Sequence, residues 1–138
     1  MKARGTGTGG VLERMILPAL EAGGYEFAVR VKVGRRLGQG AHVVDVVANR
    51  DGRTFLVSLK WQQVSGTAEQ KVPFEVICLA SALEEGSYDK AYLVLGGEGW
   101  KLRTFYVSGG LKQYLLRTES VEILTLESFV AKANRGQL

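Results

Sequence analysis

The apolar positions of the chain first follow a helical period and then change to strand-like runs. Leu12, Met15, Ile16, Ala19 and Leu20 recur three and four residues apart before a glycine pair, which predicts a helix over about residues 10–22. Three runs rich in β-branched residues follow and predict three consecutive strands. These strands are expected at residues 25–33, 41–48 and 54–61.

The second half of the chain mixes helices and strands. Pro73 is well placed to be the first residue of a helix that runs to about Leu83. The apolar stripe of this helix is Val72, Val76, Leu79 and Leu83. The remaining predicted elements are strands at 90–95, 100–107 and 121–124, and a helix at 126–134 with Thr125 as its N-cap. This order predicts an α/β fold with a mixed central sheet flanked by helices.

Length and charge narrow the class of protein. A chain of 138 residues can bury one core, so residues 10–138 are expected to form one domain behind a flexible glycine-rich arm at 1–9. The 18 Lys and Arg residues exceed the 14 Asp and Glu residues, which favours an anionic partner such as nucleic acid. A single cysteine and the lack of a long apolar run predict a cytoplasmic protein with no membrane contact.

The candidate chemistry lies on the second and third strands. Asp45 interrupts a run of valines, where an ionised carboxylate needs a nearby cation or hydrogen-bond donors. Asp51-Gly52 predicts a two-residue type I′ turn, and the register that it sets places Asp45 opposite Ser58. Lys60 shares that face, and Gln62 continues the row if the strand extends that far. The alternative to a functional site is a structural ion pair between Asp45 and Lys60.

These residues, in this order of elements, resemble the PD-(D/E)XK nuclease superfamily, which includes restriction endonucleases and archaeal Holliday-junction resolvases. The similarity covers about residues 8–96 and implies a restriction-endonuclease-like αβββαβ core. It also implies a metal-dependent DNA endonuclease, either restriction-like or resolvase-like. Residues 9–25 are similar to the N-terminal helix of the resolvases, in which a glutamate lies close to the metal site. That similarity implies a role for Glu13, whose alternative is a plain surface position.

The chain departs from the family at Ser58, where the family has its second carboxylate. In one branch of restriction enzymes this position is a serine, and the acidic residue has moved onto the following helix. The resemblance therefore implies Glu75, or less directly Glu69, as the second carboxylate. Glu75 is expected in the first turn of its helix, beside the apolar stripe. A carboxylate that only favours its helix N-terminus is the alternative.

The implied metal is magnesium, with manganese as a substitute. Magnesium prefers oxygen ligands and retains several waters, so Asp45, a helix carboxylate and the Leu59 carbonyl would supply part of its shell. Lys60 would orient the attacking water or neutralise the phosphate. The resemblance further implies products with a 5′-phosphate and a 3′-hydroxyl, and a homodimer if both strands of a duplex are cut.

Basic side chains near the predicted site are candidate contacts for DNA phosphates. They are Lys32, Arg35, Arg36, Lys101 and Arg103. Residues 34–40 do not form a P-loop because no Gly-Lys-Ser/Thr follows, so no nucleotide cofactor is expected. His42 is expected on the face opposite Asp45, in a structural role. Two other interpretations stay open: a catalytically inactive nuclease-fold domain for DNA binding or assembly, and a nuclease that acts on RNA.

Overall fold

In a computed structural model, which describes residues 10–38 and 40–138, five strands form one mixed sheet in the order β1-β2-β3-β4-β5. The strands are β1 (Glu26–Arg35), β2 (Ala41–Arg50), β3 (Arg53–Trp61), β4 (Lys90–Gly96) and β5 (Val121–Thr125). The first three are antiparallel neighbours, whereas β4 runs parallel to β3 and β5 parallel to β4. The predicted α/β fold with a mixed sheet is confirmed. The arm predicted for residues 1–9 lies outside the described residues.

Helices cover both faces of the sheet. A π-helical segment (Leu12–Ile16) continues into α1 (Leu17–Ala22), and the other helices are α2 (Ala68–Glu85), α3 (Arg103–Val107), a 3₁₀ turn (Gly110–Gln113) and α4 (Leu126–Asn134). The π-helical segment, α1 and α4 pack on one face, which we call the α1 face; α2 and α3 pack on the other, the α2 face. Within residues 10–38 and 40–138, no helix is both long and apolar enough to cross a membrane.

Each face has its own apolar core. On the α1 face, Leu20 and Phe129 pack in one cluster with Val57 and Tyr92 of the central strands. On the α2 face, a second cluster joins Leu56 and Leu93 to Val76 and Leu79 of α2. Burial of an aliphatic or aromatic side chain of this kind stabilises the fold by roughly 1.5–3 kcal/mol. The central strands are therefore held from both sides, which fixes the position of β3.

The β2–β3 turn has the predicted geometry. Asp51 and Gly52 both have positive φ, 54° and 80°, as a type I′ turn requires. Arg50 consequently pairs with Arg53, and the ladder continues from there to the pair Val46 and Val57. The ladder stops there, one step short of the expected pair of Asp45 with Ser58.

The alternation of the β1–β2 hairpin breaks at Asp45. Val46 is buried on the α1 face and Val44 on the α2 face, although residues two apart in a regular strand share one face. Arg30, which the register places opposite Asp45, has a φ of 53°. The end of the hairpin beyond this point consequently packs over α2 and brings residues 36 and 42 towards that helix.

The expected start of the central helix was wrong. The helix begins at Ala68 rather than at Pro73, so Pro73 lies inside α2. Proline has no N–H to donate to the carbonyl four residues earlier, that of Glu69. The Tyr106 hydroxyl donates to this carbonyl instead, at 2.7 Å. A tertiary contact thereby supports a proline that sequence rules place at a helix start, and Glu75 falls in the middle of α2 rather than in its first turn.

The strand expected at 100–107 is also wrong, because residues 103–107 form α3. The edge of β4 is taken by β5, so this segment has no place in the sheet. The Trp100 indole N–H donates to the Gly96 carbonyl and the Leu102 N–H donates to the Glu69 carboxylate, which bends the chain towards α2. Tertiary hydrogen bonds override the local β propensity here. Lys101 and Arg103 therefore do not alternate along a strand.

Candidate functional site

The site lies where β2 and β3 separate. Their ladder ends at Val46 and Val57, one step before Asp45. The Asp45 carboxylate enters the gap and accepts a hydrogen bond from the Leu59 N–H at 2.7 Å. Just beyond the end of the ladder, a side-chain oxygen of β2 thus accepts a hydrogen bond from a backbone N–H of β3. This arrangement holds one carboxylate oxygen at a fixed place against the strand that carries Lys60.

Ser58 and Lys60 both turn from β3 towards α2, where they meet Glu75. The Ser58 hydroxyl donates to Glu75 Oε2 at 3.2 Å, and Lys60 Nζ lies 3.9 Å from Glu75 Oε1. The charges of Lys60 and Glu75 both act on Asp45. The structure therefore brings Ser58 and Lys60 into contact with Glu75, and Asp45 lies close enough for the charges of Lys60 and Glu75 to act on its carboxylate.

Two further side chains reach Glu75 from the end of the β1–β2 hairpin. Arg36 donates to Oε1 at 2.8 Å, and His42 Nε2 lies 3.3 Å from Oε2. Burial would raise the pKa of the Glu75 carboxyl, but the hydrogen bond with His42, the charge of Lys60 and the contact with Arg36 outweigh it and lower the pKa to about 2. Glu75 is therefore a buried carboxylate that stays ionised across the physiological range.

Asp45 has the opposite balance. Burial raises the pKa of its carboxyl, and the nearby charge of Glu75 adds to that rise; the Leu59 N–H and Lys60 offset only part of it. Within the part of the chain that the structure describes, no cation lies within ion-pair distance of Asp45. Its negative charge is undercompensated, which is the electrostatic setting that attracts a cation.

The expected face of His42 was wrong, whereas its expected structural role stays a prediction. Regular alternation puts residues 42 and 45 on opposite faces, but the break at Asp45 turns His42 onto the α2 face, fully buried against Glu75. Its Nδ1 atom has no hydrogen-bond partner among the described residues. The sequence offered one signal that we did not use, namely a histidine at a buried position of a strand that also carries the key acid.

Three other predicted site residues lie elsewhere. Gln62 follows the end of β3, and its amide donates to the Gly99 carbonyl and accepts the Ala68 N–H, so it ties a loop to the start of α2. The Glu69 carboxylate accepts the Leu102 N–H at 2.5 Å and is occupied with that segment. Glu13 is exposed, and no ion pair joins it to another residue of the described ranges. Within residues 10–38 and 40–138, no hydrogen bond or ion pair joins these three side chains to Asp45 or Glu75.

Of the basic residues predicted to contact phosphates, one lies at the site and the other four do not contact it. Arg36 lies at the site through its bond to Glu75, whereas Lys32 and Arg35 are exposed on β1. Arg103 donates to the Gly97 carbonyl at 2.6 Å, and Lys101 is exposed in the preceding turn. Only Arg36 of this group touches a residue of the cluster around Asp45.

The oxygen donors suit a hard divalent cation. One Asp45 oxygen is held by Leu59, and because the N–H and C=O of a residue in an extended strand point to the same edge, the Leu59 carbonyl faces the same gap. Across residues 10–38 and 40–138, no three His, Cys, Asp or Glu side chains are arranged to hold a metal.

Comparison of the sequence with known protein families assigns the chain to one of them. The profile of the PD-(D/E)XK nuclease superfamily domain matches residues 4–137, which is nearly the whole chain. The chain belongs to the PD-(D/E)XK nuclease superfamily. The family resemblance drawn from the sequence is thereby confirmed, and the chain carries a domain of the nuclease type.

A solved structure supports the fold. The chain is similar to a protein of unknown function designated AF1548, with 15% identity, a TM-score of 0.53, and coverage of 80% of this chain. The chain spans about half of that protein, 54% of its length. No curated protein matches the sequence.

Proposed function

We propose that the protein is a magnesium-dependent DNA endonuclease whose active site consists of Asp45, Ser58, Lys60 and Glu75. The observation that carries the proposal is the contact between Lys60 and Glu75 near the gap that holds Asp45, where both charges act on the Asp45 carboxylate. Glu75, presented by α2 and bonded to Ser58, stands in for the carboxylate that the family has on the strand. Ser58 thus becomes the support of the second acid rather than a lost ligand.

Asp45, the Leu59 carbonyl and Glu75 would hold the cation. The Asp45 charge is only partly compensated by the Leu59 N–H and by nearby cations, so it favours a metal. Glu75 favours a metal once Arg36 withdraws from Oε1. When bound, the cation would stabilise negative charge on the attacked phosphate and help to form hydroxide from water.

The protein's own groups would do the rest. Lys60 lies at the edge of the cluster, where its ammonium can donate to a phosphate oxygen or to the attacking water. Ser58 and His42 would hold Glu75 in one orientation through its second oxygen. Such fixed donors and acceptors lower the barrier because they need not reorganise during the reaction.

The proposal extends to assembly and location. Cleavage of both strands of a duplex by one site per chain favours a homodimer. Light scattering with and without DNA measures the molar mass and thereby the oligomeric state. Cys78 is buried and unpaired among the described residues, which supports a reducing, cytoplasmic setting.

The decisive experiment incubates the purified chain with magnesium or manganese and with plasmid, linear, single-stranded and four-way-junction DNA. Asp45→Asn and Lys60→Ala should each reduce cleavage by at least about a hundredfold, as loss of a transition-state contact does. Glu127→Gln is the matched control, because Glu127 is an exposed carboxylate on α4, across the sheet. Cleavage that survives in both site variants would show that the activity belongs to a contaminant or to another site.

A second candidate function is a nuclease-fold domain that binds DNA without cutting it. The observation that favours it is the complete engagement of Glu75 by Arg36, His42, Ser58 and Lys60. Calorimetric titration with manganese separates the two functions. The nuclease should bind manganese, and the Asp45→Asn variant should bind it more weakly; a wild-type chain that binds no manganese and cuts no DNA supports the second function.

A further inference from the structure

A cavity of about 390 Å³ opens beside Glu75. It lies between the end of the β1–β2 hairpin, the end of β3 and the first half of α2. Its lining includes Arg36, Lys60, Lys71, Val72, Phe74 and Glu75. We call it the Phe74 cavity. Its volume falls within the range of small-molecule sites, and it is large enough for a nucleobase.

The Phe74 cavity is positively charged. Among its lining residues, the cations Arg36, Lys60 and Lys71 face the single carboxylate of Glu75. Lys71 is exposed, and among the residues that the structure describes it forms no ion pair. Three cations around one opening favour an anionic ligand, and two residues of the proposed active site, Lys60 and Glu75, line this opening.

Phe74 gives the cavity an aromatic wall. The side chain is 45% exposed, although α2 buries its neighbours Val72, Glu75 and Val76. A second opening, of about 460 Å³, is also lined by Phe74 and Arg36, together with Leu37 and Gly40. An exposed ring that lines two openings among cations resembles the aromatic side chains on which unstacked bases lie in proteins that bind single strands.

We infer that Phe74 stacks on a nucleobase taken out of the helix next to the phosphate that is cut, while Arg36 and Lys71 contact the flanking phosphates. The inference rests on the proposed function and specifies its substrate. DNA with an unpaired nucleotide at the cleavage position, such as a single strand, a flap or a branch point, would bind better than uninterrupted duplex. Intact duplex must first lose the stacking energy of that base.

Fluorescence of 2-aminopurine tests stacking without any cleavage. The base is placed in a single-stranded DNA oligonucleotide, at a flap junction, or within a duplex, and the full chain is added in EDTA. Wild-type protein should quench the first two and leave the duplex largely unchanged. Phe74→Ala should remove the quenching and weaken affinity about fivefold or more, whereas Phe74→Trp should retain both.

Tyr114→Ala is the matched control, because Tyr114 is an aromatic residue that is 73% exposed outside the cavity. Lys71→Ala should weaken binding yet leave the quenching at saturation. Thermal unfolding of each variant verifies that the fold is intact. Equal quenching by wild-type and Phe74→Ala protein, equal affinity for paired and unpaired positions, or binding of a matched RNA oligonucleotide but not DNA would each overturn the inference.

The outcomes separate this inference from the proposed function. A protein that cuts DNA but quenches no oligonucleotide is a nuclease without a stacking site. A protein that quenches through Phe74 and cuts nothing retains the stacking site and fails as a nuclease. Asp45→Asn should abolish cleavage and leave the quenching unchanged, since Asp45 does not line the cavity.

Discussion

At the scale of single residues, Asp45 and Glu75 carry the same charge in opposite electrostatic conditions. Glu75 is surrounded by donors and cations that lower its pKa, whereas burial raises the pKa of Asp45 more than Leu59 and Lys60 can offset. The ionised form of Asp45 therefore destabilises the fold, whereas the ionised form of Glu75 stabilises it. Such a loss of stability is common at functional sites.

We therefore expect Asp45→Asn to raise the midpoint of thermal unfolding at pH 7 without divalent cations. The amide keeps an oxygen for the Leu59 N–H but removes the buried charge. A raised pKa means that Asp45 destabilises the fold as pH rises through that pKa, so the advantage of the variant should shrink in acid. Calorimetry at both pH values, repeated with manganese, measures this; an Asp45→Asn chain less stable than wild type at pH 7 would contradict it.

Glu75 should show the opposite pH dependence. Its pKa falls from 4.5 in the unfolded chain to about 2 in the folded one, so its contribution to stability is complete above about pH 4.5 and is lost as pH falls towards 2. Glu75→Gln should therefore destabilise the chain at pH 7, and the difference from wild type should narrow at pH 3. Urea unfolding at the two pH values checks this, and a difference that stays constant would refute it.

Arg36 should affect two ligands in opposite directions. It holds Glu75 Oε1 at 2.8 Å, where it competes with any cation for the same oxygen. Arg36→Ala should tighten manganese binding several-fold and weaken DNA binding, because a phosphate contact is lost. Calorimetry with manganese and fluorescence anisotropy with a labelled oligonucleotide measure the two effects. A variant that loses affinity for both ligands would show that Arg36 merely supports the fold.

At the scale of elements, α2 depends on a tertiary contact at its proline. The Tyr106 hydroxyl satisfies the Glu69 carbonyl that Pro73 leaves without a helical donor. This contact links α3 to the first turns of α2. Since α2 presents Glu75 and Phe74, the position of the site depends on that link.

Tyr106→Phe should destabilise the chain by about 1–3 kcal/mol, because the Glu69 carbonyl then lies buried without a donor. In a Pro73→Ala background the loss should be smaller, since the substituted alanine supplies a helical N–H to the same carbonyl. A double-mutant cycle from urea unfolding gives the coupling between the two positions. Strictly additive effects would show that the hydroxyl acts independently of the proline.

At the scale of the whole molecule, part of the positive charge of the chain, whose net charge is +4, is concentrated on one face. Arg36, Lys60 and Lys71 surround the Phe74 cavity on the α2 face, together with the Glu75 carboxylate. In the proposed function, a DNA strand is held by its phosphates on that face while one phosphodiester bond lies at Asp45. Such binding should depend strongly on salt.

The salt dependence of DNA affinity tests this placement of charge. Lys71→Ala should reduce the log–log slope of affinity against salt by about 1, as expected for one lost phosphate contact. Lys132→Ala should leave the slope unchanged, because Lys132 lies on α4 across the sheet and is close to Glu122. Anisotropy titrations at several salt concentrations measure the slopes. Equal changes in the two variants would place the DNA elsewhere.

Several features of the fold and site could be predicted from the sequence because they depend on neighbours along the chain. The Asp51-Gly52 turn fixed the β2–β3 register, and the strand period put Ser58 and Lys60 on one face. The cap at Thr125, whose side chain accepts the Ser128 N–H, is equally local. Asp45, Ser58 and Lys60 could be predicted as neighbours because their positions depend on this local turn and register.

Tertiary structure alone decided the remainder. Beyond the break at Asp45, His42 and Arg36 contact Glu75, which lies 33 and 39 residues later in the chain. Helix α2 begins five residues before its proline, and the Tyr106 hydroxyl donates to the carbonyl that the proline leaves without a helical donor. No period in the sequence encodes such contacts, since they depend on how the hairpin coils over a helix and where buried carbonyls find donors. Local chemistry determined which groups face each other across two strands, and packing between distant segments determined which groups surround the second carboxylate.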